Sequence, residues 1–166
     1  AIIQSCDTFF YNLSTLMPID IFYEYGSSFG LGEKTGIDMP FERSGIMPSR
    51  SWKKKNKNQS WYAGDTINTS IGQGFTLATP MQLAVMTAGI ASQGKIRVPQ
   101  LVRNPKKPSS LKRKVEISKE NWKYVHQAMN DVVHSSKGTA RGISRGLNYH
   151  IAGKTGTVQV VGIKQK

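Results

Sequence analysis

Four residues, Gly153-Lys154-Thr155-Gly156, and the run that follows them set the strongest limit on how this chain can fold. A Gly-Lys-Thr triplet belongs to a phosphate loop only if another glycine stands five residues before the one preceding the lysine and a helix follows the threonine. Position 148 is Asn148, and the following Thr157-Val158-Gln159-Val160-Val161 is β-branched, the composition of a strand. A phosphate-loop architecture fails on both counts. What remains is a lysine and a hydroxyl on a glycine-punctuated strand running through residue 162, a pattern suited to holding a carboxylate.

Upstream, the pattern is mostly helical. Phe9, Leu13 and Leu16 recur at helical spacing after Asp7, a good N-cap. Pro18 ends that helix and opens the next, from 19 to about 29, which Gly30 and Gly32 close. Residues 33–64 read as an irregular stretch with Pro40, Pro48 and a basic cluster. Pro80 stands at the first position of a helix carrying Met81, Leu83, Ala84, Met86 and Ile90, which Gly94 stops. Residues 95–102 read as a strand with Pro99 at an edge or end, and 106–114 as a basic loop. Ser118 opens a last helix through Trp122, Val125, Met129, Val132 and Val133 that ends before Gly138. Helices with a strand at the chemistry give an α+β fold.

The chain has 166 residues and 38% hydrophobic content, enough for one domain with a core. No apolar run of about eighteen residues is present to span a membrane. Lysine and arginine total 23 against 10 acids, a net charge of +13. The excess is concentrated at Arg50, Lys53, Lys54, Lys55 and Lys57 and between positions 106 and 114. These read as solvated loops, with no aromatic interleaving and no zinc-finger or RRM signature, so no nucleic acid is expected.

Ser5-Cys6-Asp7 heads the first helix, and by itself the pattern suits helix capping as well as proton relay. Combined with Lys154-Thr155-Gly156, it resembles the motif set of penicillin-binding proteins and β-lactamases. Further marks follow in order: Phe29-Gly30-Leu31-Gly32, Thr35-Gly36-Ile37-Asp38, Gly45-Ile46-Met47-Pro48, Gly64-Asp65-Thr66, Ser70-Ile71-Gly72-Gln73-Gly74, Thr79-Pro80-Met81-Gln82-Leu83 and Gly138-Thr139-Ala140. Taken together, the chain resembles the penicillin-recognising serine enzyme superfamily, and within it the penicillin-binding protein 2 group of elongation-type peptidoglycan D,D-transpeptidases. The resemblance covers essentially the whole chain.

That resemblance implies a β-lactamase-like fold of helices packed on an antiparallel sheet. It also implies a partial transpeptidase domain over 1–166, lacking an upstream nucleophile segment and the last strands and helix. Lys154 and Thr155 would bind the terminal carboxylate of a D-Ala-D-Ala stem peptide or of a β-lactam. Gly156 would admit the substrate backbone, and the Thr157 N–H would serve an oxyanion hole. Ser5 would pass a proton toward the leaving amine. Asp7 stands where the superfamily more often has asparagine, and as a carboxylate it is expected to pair with a lysine. The implied partners are the stem peptide, β-lactams and the glycan polymerase of the elongation machinery. The implied location is the periplasmic face of a bacterial inner membrane. No cofactor is required, although the resemblance allows zinc at Cys6 with ligands outside this chain.

The family's nucleophile is a Ser-x-x-Lys whose lysine is desolvated enough to act as base. Ser51-x-x-Lys54 and Ser109-x-x-Lys112 match in letters but lie in lysine-rich exposed stretches with no apolar face to desolvate the lysine. Both are rejected, and the chain alone is expected to form no penicilloyl adduct. Lys34-Thr35-Gly36 reads as a structural turn. His126 and His134, eight residues apart, are too far from each other to share an ion, and His150 reads as a loop residue. Two alternatives stay open: a D,D-carboxypeptidase or β-lactamase-like sensor of the same superfamily, and a basic module for nucleic acid or an acidic wall polymer.

Overall fold

The computed structural model describes residues 1–102, 106 and 108–158. Six α-helices and one hairpin follow in order: α1 Asp7–Leu16, α2 Ile19–Ser28, α3 Arg50–Lys57, α4 Ala63–Ser70, α5 Pro80–Ala91, β1 Lys95–Arg97, β2 Leu111–Lys114 and α6 Lys119–His134. A 3-10 turn spans Arg141–Ser144. The expected α+β class holds, with helices around a small antiparallel sheet.

The helix ends follow from local chemistry. At α5, Thr79 Oγ1 accepts the Gln82 amide while Gln82 Oε1 accepts the Thr79 amide, closing a capping box before Pro80. Gln82 is buried, and its Nε2 also donates to the carbonyls of Glu33 and Ser44, so one side chain knots three segments. Ser118 Oγ caps α6 by accepting the Asn121 amide. At α1 the N-cap is Cys6, and Asp7 is the first helical residue. Its charge there still favours the helix N-terminus.

The core gathers Val85, Ile96 and Val115, with Phe29, Met81 and Ile117 packed around them. Trp122 of α6 meets Phe29 edge-on, ring centroids 6.3 Å apart. Gly89 of α5 leaves room for Ile96 of β1, where a side chain would collide. The strands pair antiparallel, Lys95 with Lys114, Ile96 with Arg113 and Arg97 with Leu111, with an irregularity after Ile96.

Several expectations are corrected. The basic cluster at 50–57 is a helix, α3, started by Ser49 Oγ accepting the Trp52 amide. Lysine is a good helix former, and the buried face is made by Lys53 itself, which an apolar count does not register. Its ammonium sits 2.6 Å from Asp65 Oδ2 and over the rings of Tyr62, Phe75 and Trp61, at 4.6, 5.4 and 5.9 Å. The stretch assigned to a basic loop contains β2, in which Lys112 and Arg113 both pair with Glu33. β1 ends at Arg97, short of the expected 102. The segment at 151–158 carries no regular strand, because among the described residues no neighbouring strand offers it a ladder. The rest of that expected strand, from 159, lies outside the described residues.

Candidate active site

The chain's two distant motifs meet at one cleft. A cavity of about 710 Å³ is lined by Ser5, Asp7, Phe10, Ser70, Ile71, Gln73, Met86 and Lys154, Thr155, Gly156 and Thr157. Two anchors bring the late segment there. The Gly153 amide donates to the Met129 carbonyl of α6 at 3.0 Å, and His134 Nε2 lies 3.0 Å from the Ile151 carbonyl.

Ser5 is presented by a tight turn in which its amide donates to the Ile2 carbonyl and the Cys6 amide to the Ala1 carbonyl. Its φ of 49° is left-handed, a conformation that costs a residue other than glycine about 1 kcal/mol or more. The turn aims the hydroxyl at Lys154, whose Nζ donates to Ser5 Oγ. Nζ also donates to the Thr155 carbonyl at 2.8 Å and lies 3.4 Å from Thr155 Oγ1. Among the described residues no carboxylate pairs with Lys154, so its positive charge rests on neutral oxygens only. An ammonium in that state, beside a hydroxyl, is prepared for an incoming anion.

Thr155 Oγ1 is a junction, 2.9 Å from Ser5 Oγ and 2.9 Å from Thr139 Oγ1. On the far wall, Gln73 Nε2 donates to the Thr157 carbonyl at 3.0 Å. Gln73 stands between Gly72 and Gly74, both left-handed with φ of 75° and 74°. Neither Thr139 nor Gln73 carries a role in the sequence reading. The available signal was a polar residue beside glycine in two of the blocks that supported the resemblance.

Asp7 lines the cleft, but among the described residues it forms no ion pair with a lysine. Cys6 is exposed, its Sγ 3.3 Å from Thr8 Oγ1. The Thr8 hydroxyl, and after it the Phe9 amide, hold its thiol below the ordinary value. Among the described residues no group of three or more His, Cys, Asp or Glu side chains is placed to hold a metal. His134 and His150 do meet, with ring centroids 4.8 Å apart.

The rejected nucleophile matches lie elsewhere. Ser51 Oγ bonds Ser49 Oγ at 2.9 Å in a separate hollow beside Met47 and Trp52, and Lys54 is exposed. Ser109 Oγ donates to the Val98 carbonyl at the hairpin. Lys34-Thr35-Gly36 is a turn built on an internal acid: Glu42 accepts from the Thr35 hydroxyl and from the Thr35 and Gly36 amides.

Helices packed on an antiparallel hairpin, with a Lys-Thr-Gly segment facing a serine at a helix start, form the arrangement of penicillin-recognising serine enzymes. The chain belongs to the penicillin-binding protein transpeptidase domain family, whose sequence profile matches residues 1–166. It is similar to peptidoglycan D,D-transpeptidase MrdA of Acinetobacter baumannii, at 44% identity over 99% of this chain and 25% of that protein. The protein of the same name from Escherichia coli is 37% identical over 97% of this chain and 27% of its own length. Among solved structures, Pseudomonas aeruginosa PBP2 in complex with WCK 5153 matches with a TM-score of 0.89 at 42% identity, over 96% of this chain and 38% of that one. Helicobacter pylori PBP2, solved in complex with MreC, gives 0.86 at 37% identity, over 96% and 30%. The chain thus spans about a quarter of the length of the curated relatives it matches.

Proposed function

We propose that this chain is part of a peptidoglycan D,D-transpeptidase, which cross-links stem peptides through an acyl-serine intermediate and is acylated by β-lactams. The observation that carries this reading is the contact of Lys154, beside Thr155, with Ser5 across 149 positions of sequence, in a cleft where the ammonium has no acidic partner among the described residues.

In this reading Lys154 and Thr155 hold the carboxylate of D-Ala-D-Ala or of a β-lactam by charge and hydroxyl together. The carboxylate fixes the scissile carbonyl against the Thr157 amide, which stabilises the oxyanion; one such donor lowers the barrier by about 3–4 kcal/mol. Gly156, with nothing within 4 Å of where a side chain would start, leaves the backbone open to the substrate. Ser5, already bonded to Lys154, carries the proton to the leaving amine. Asp7 contributes negative potential at the same wall. Neither Ser51 nor Ser109 lines the cleft, so the attacking serine comes from sequence other than these residues. Zinc at Cys6 belongs to this reading only with ligands from outside this chain.

In this reading the protein works in the elongation machinery, beside a glycan polymerase at the periplasmic face of the inner membrane; that a similar protein, Helicobacter pylori PBP2, is solved in complex with MreC supports a partnered enzyme. Among the described residues no helix is long and apolar enough to cross a membrane. The basic surface is a poor polyanion site in this reading: Lys53 is buried, and Arg50, Lys112 and Arg113 are paired with acids. The test is labelling of the full-length protein with a fluorescent penicillin, followed by peptide mapping. One adduct on a serine outside this chain is expected, lost on Lys154→Ala. An adduct on Ser51 or Ser109, or undiminished labelling of Lys154→Ala, would overturn the assignment.

A further inference from the structure

The hydroxyl of Thr139 belongs to the same hydrogen-bonded group as Ser5, Lys154 and Thr155, yet nothing above gives it a task. Its placement is specific. After α6, the Ala140 amide donates to the Val132 carbonyl at 3.0 Å and the Gly138 amide to the Ser135 carbonyl at 3.0 Å, folding the chain back over the helix end. Gly138 is buried there, and any side chain would run into the carbonyls of Asp131 and Val132. The Thr139 amide donates to the Ile3 carbonyl at 3.2 Å, in the turn that presents Ser5. One residue is therefore tied to both halves of the cleft, through its backbone to the Ser5 turn and through its hydroxyl to Thr155.

Counting protons shows what that contact can do. Thr155 has one hydroxyl hydrogen and two lone pairs. Lys154 has only donors, so Ser5 Oγ accepts from it and Ser5 keeps its own hydrogen to give. Ser5 and Thr139 both stand 2.9 Å from Thr155 Oγ1. Lys154 Nζ, at 3.4 Å the longest of the three contacts to Thr155 Oγ1, gives way to the two closer hydroxyls; if both of these donate, the two lone pairs of Thr155 are filled and its single hydrogen is left for the cleft. If instead Thr155 donates to either hydroxyl, Thr139 or Ser5, it presents no hydrogen to an anion.

We propose that Thr139 is a positioning residue that donates to Thr155 Oγ1 and so commits the Thr155 proton to the carboxylate of the bound ligand. This rests on the transpeptidase reading above and adds to it a selectivity for carboxylate that Lys154 alone does not supply. An anion in the cleft itself favours the donating arrangement, because a hydroxyl aimed at a carboxylate makes the stronger, charge-assisted bond.

The test measures second-order acylation rates of the full-length protein with a penicillin and with its methyl ester, and takes their ratio. Thr139→Val keeps the shape and removes the donor; the ratio is expected to fall about fivefold, the scale of one hydrogen bond. Thr139→Ser restores the hydroxyl and should restore the ratio. Should Thr139→Val fail to fold, by circular dichroism and melting, Thr139→Ala serves for the same ratio. A ratio unchanged in the valine or alanine variant, with both rates lowered equally, would overturn the proposal and leave Thr139 a packing residue. Failure of the wild type to be acylated by the penicillin would instead overturn the transpeptidase reading, so the two failures are distinct.

Discussion

Replacing Lys53 with methionine tests the most unexpected piece of packing in the molecule. The Lys53 side chain is 3% exposed, its ammonium is 2.6 Å from Asp65 Oδ2, and three aromatic rings face it. Methionine keeps the length and apolar stem but leaves Asp65, itself 16% exposed, without its cation. Asp65 retains the Tyr62 amide at 2.8 Å, which offsets part of the loss. Breaking one side of a buried pair costs about 3–5 kcal/mol, and the ring contacts contribute in the same direction, so a destabilisation of about 3 kcal/mol is the expectation. Asp65→Asn should cost less, because the rings still stabilise the ammonium. The double variant Lys53→Met with Asp65→Asn should recover about 1 kcal/mol or more relative to the sum of the singles. Urea denaturation followed by tryptophan fluorescence is a direct assay, since Trp52 and Trp61 flank the site. A loss below about 1 kcal/mol for Lys53→Met, or single effects that add within about 0.5 kcal/mol, would refute the argument that this lysine is a buried strut.

Thr155→Val should slow acylation of the full-length protein by a penicillin about tenfold to a hundredfold, the scale of a hydrogen bond to a charged group, read in a labelling time course. Gln73→Ala frees the Thr157 carbonyl and should lower the same rate about fivefold while the melting temperature stays within a few degrees. For Glu42, burial pushes the carboxyl up, but the Thr35 hydroxyl and the Thr35 and Gly36 amides outweigh it and hold it below its ordinary value of 4.5. A depressed carboxylate stabilises the fold above its unfolded pKa and loses that contribution as pH falls through the folded value. The stability gap between wild type and Glu42→Gln should therefore be full at neutral pH and close on acidification below 4.5, as measured by denaturation at a series of pH values. Gly138→Ala should destabilise by about 1–3 kcal/mol through the collision with the α6 carbonyls, seen as a lowered denaturation midpoint.

Much of this was legible in the residues, for identifiable reasons. The α5 helix announces itself through Thr79-Pro80 and Gln82, because capping is a short-range rule and the capping residues do cap. The cleft was readable as the meeting of Ser5-x-Asp7 with Lys154-Thr155-Gly156, since those residue types have few joint uses. What escaped was long-range. Lys53 reads as solvated because a charge is buried only when acid and rings from later residues surround it. β2 is hidden in a lysine-rich run because two of its cations, Lys112 and Arg113, share an acid, Glu33, that lies about 80 positions earlier. The segment around Lys154 has strand composition without a ladder among the described residues, since propensity supplies no partner. Thr139 needed the Ile3 and Thr155 contacts to acquire meaning.

The same three letters, Lys-Thr-Gly, occur twice, and the difference between the copies bears on how the protein meets its ligand. At Thr35 the acid is tethered seven residues away, so its effective concentration exceeds anything a diffusing molecule could reach, and the cradle stays saturated. A free stem peptide or drug is not diverted there. The second copy pairs with no carboxylate among the described residues, so its ammonium and hydroxyl answer to an anion that arrives from solution.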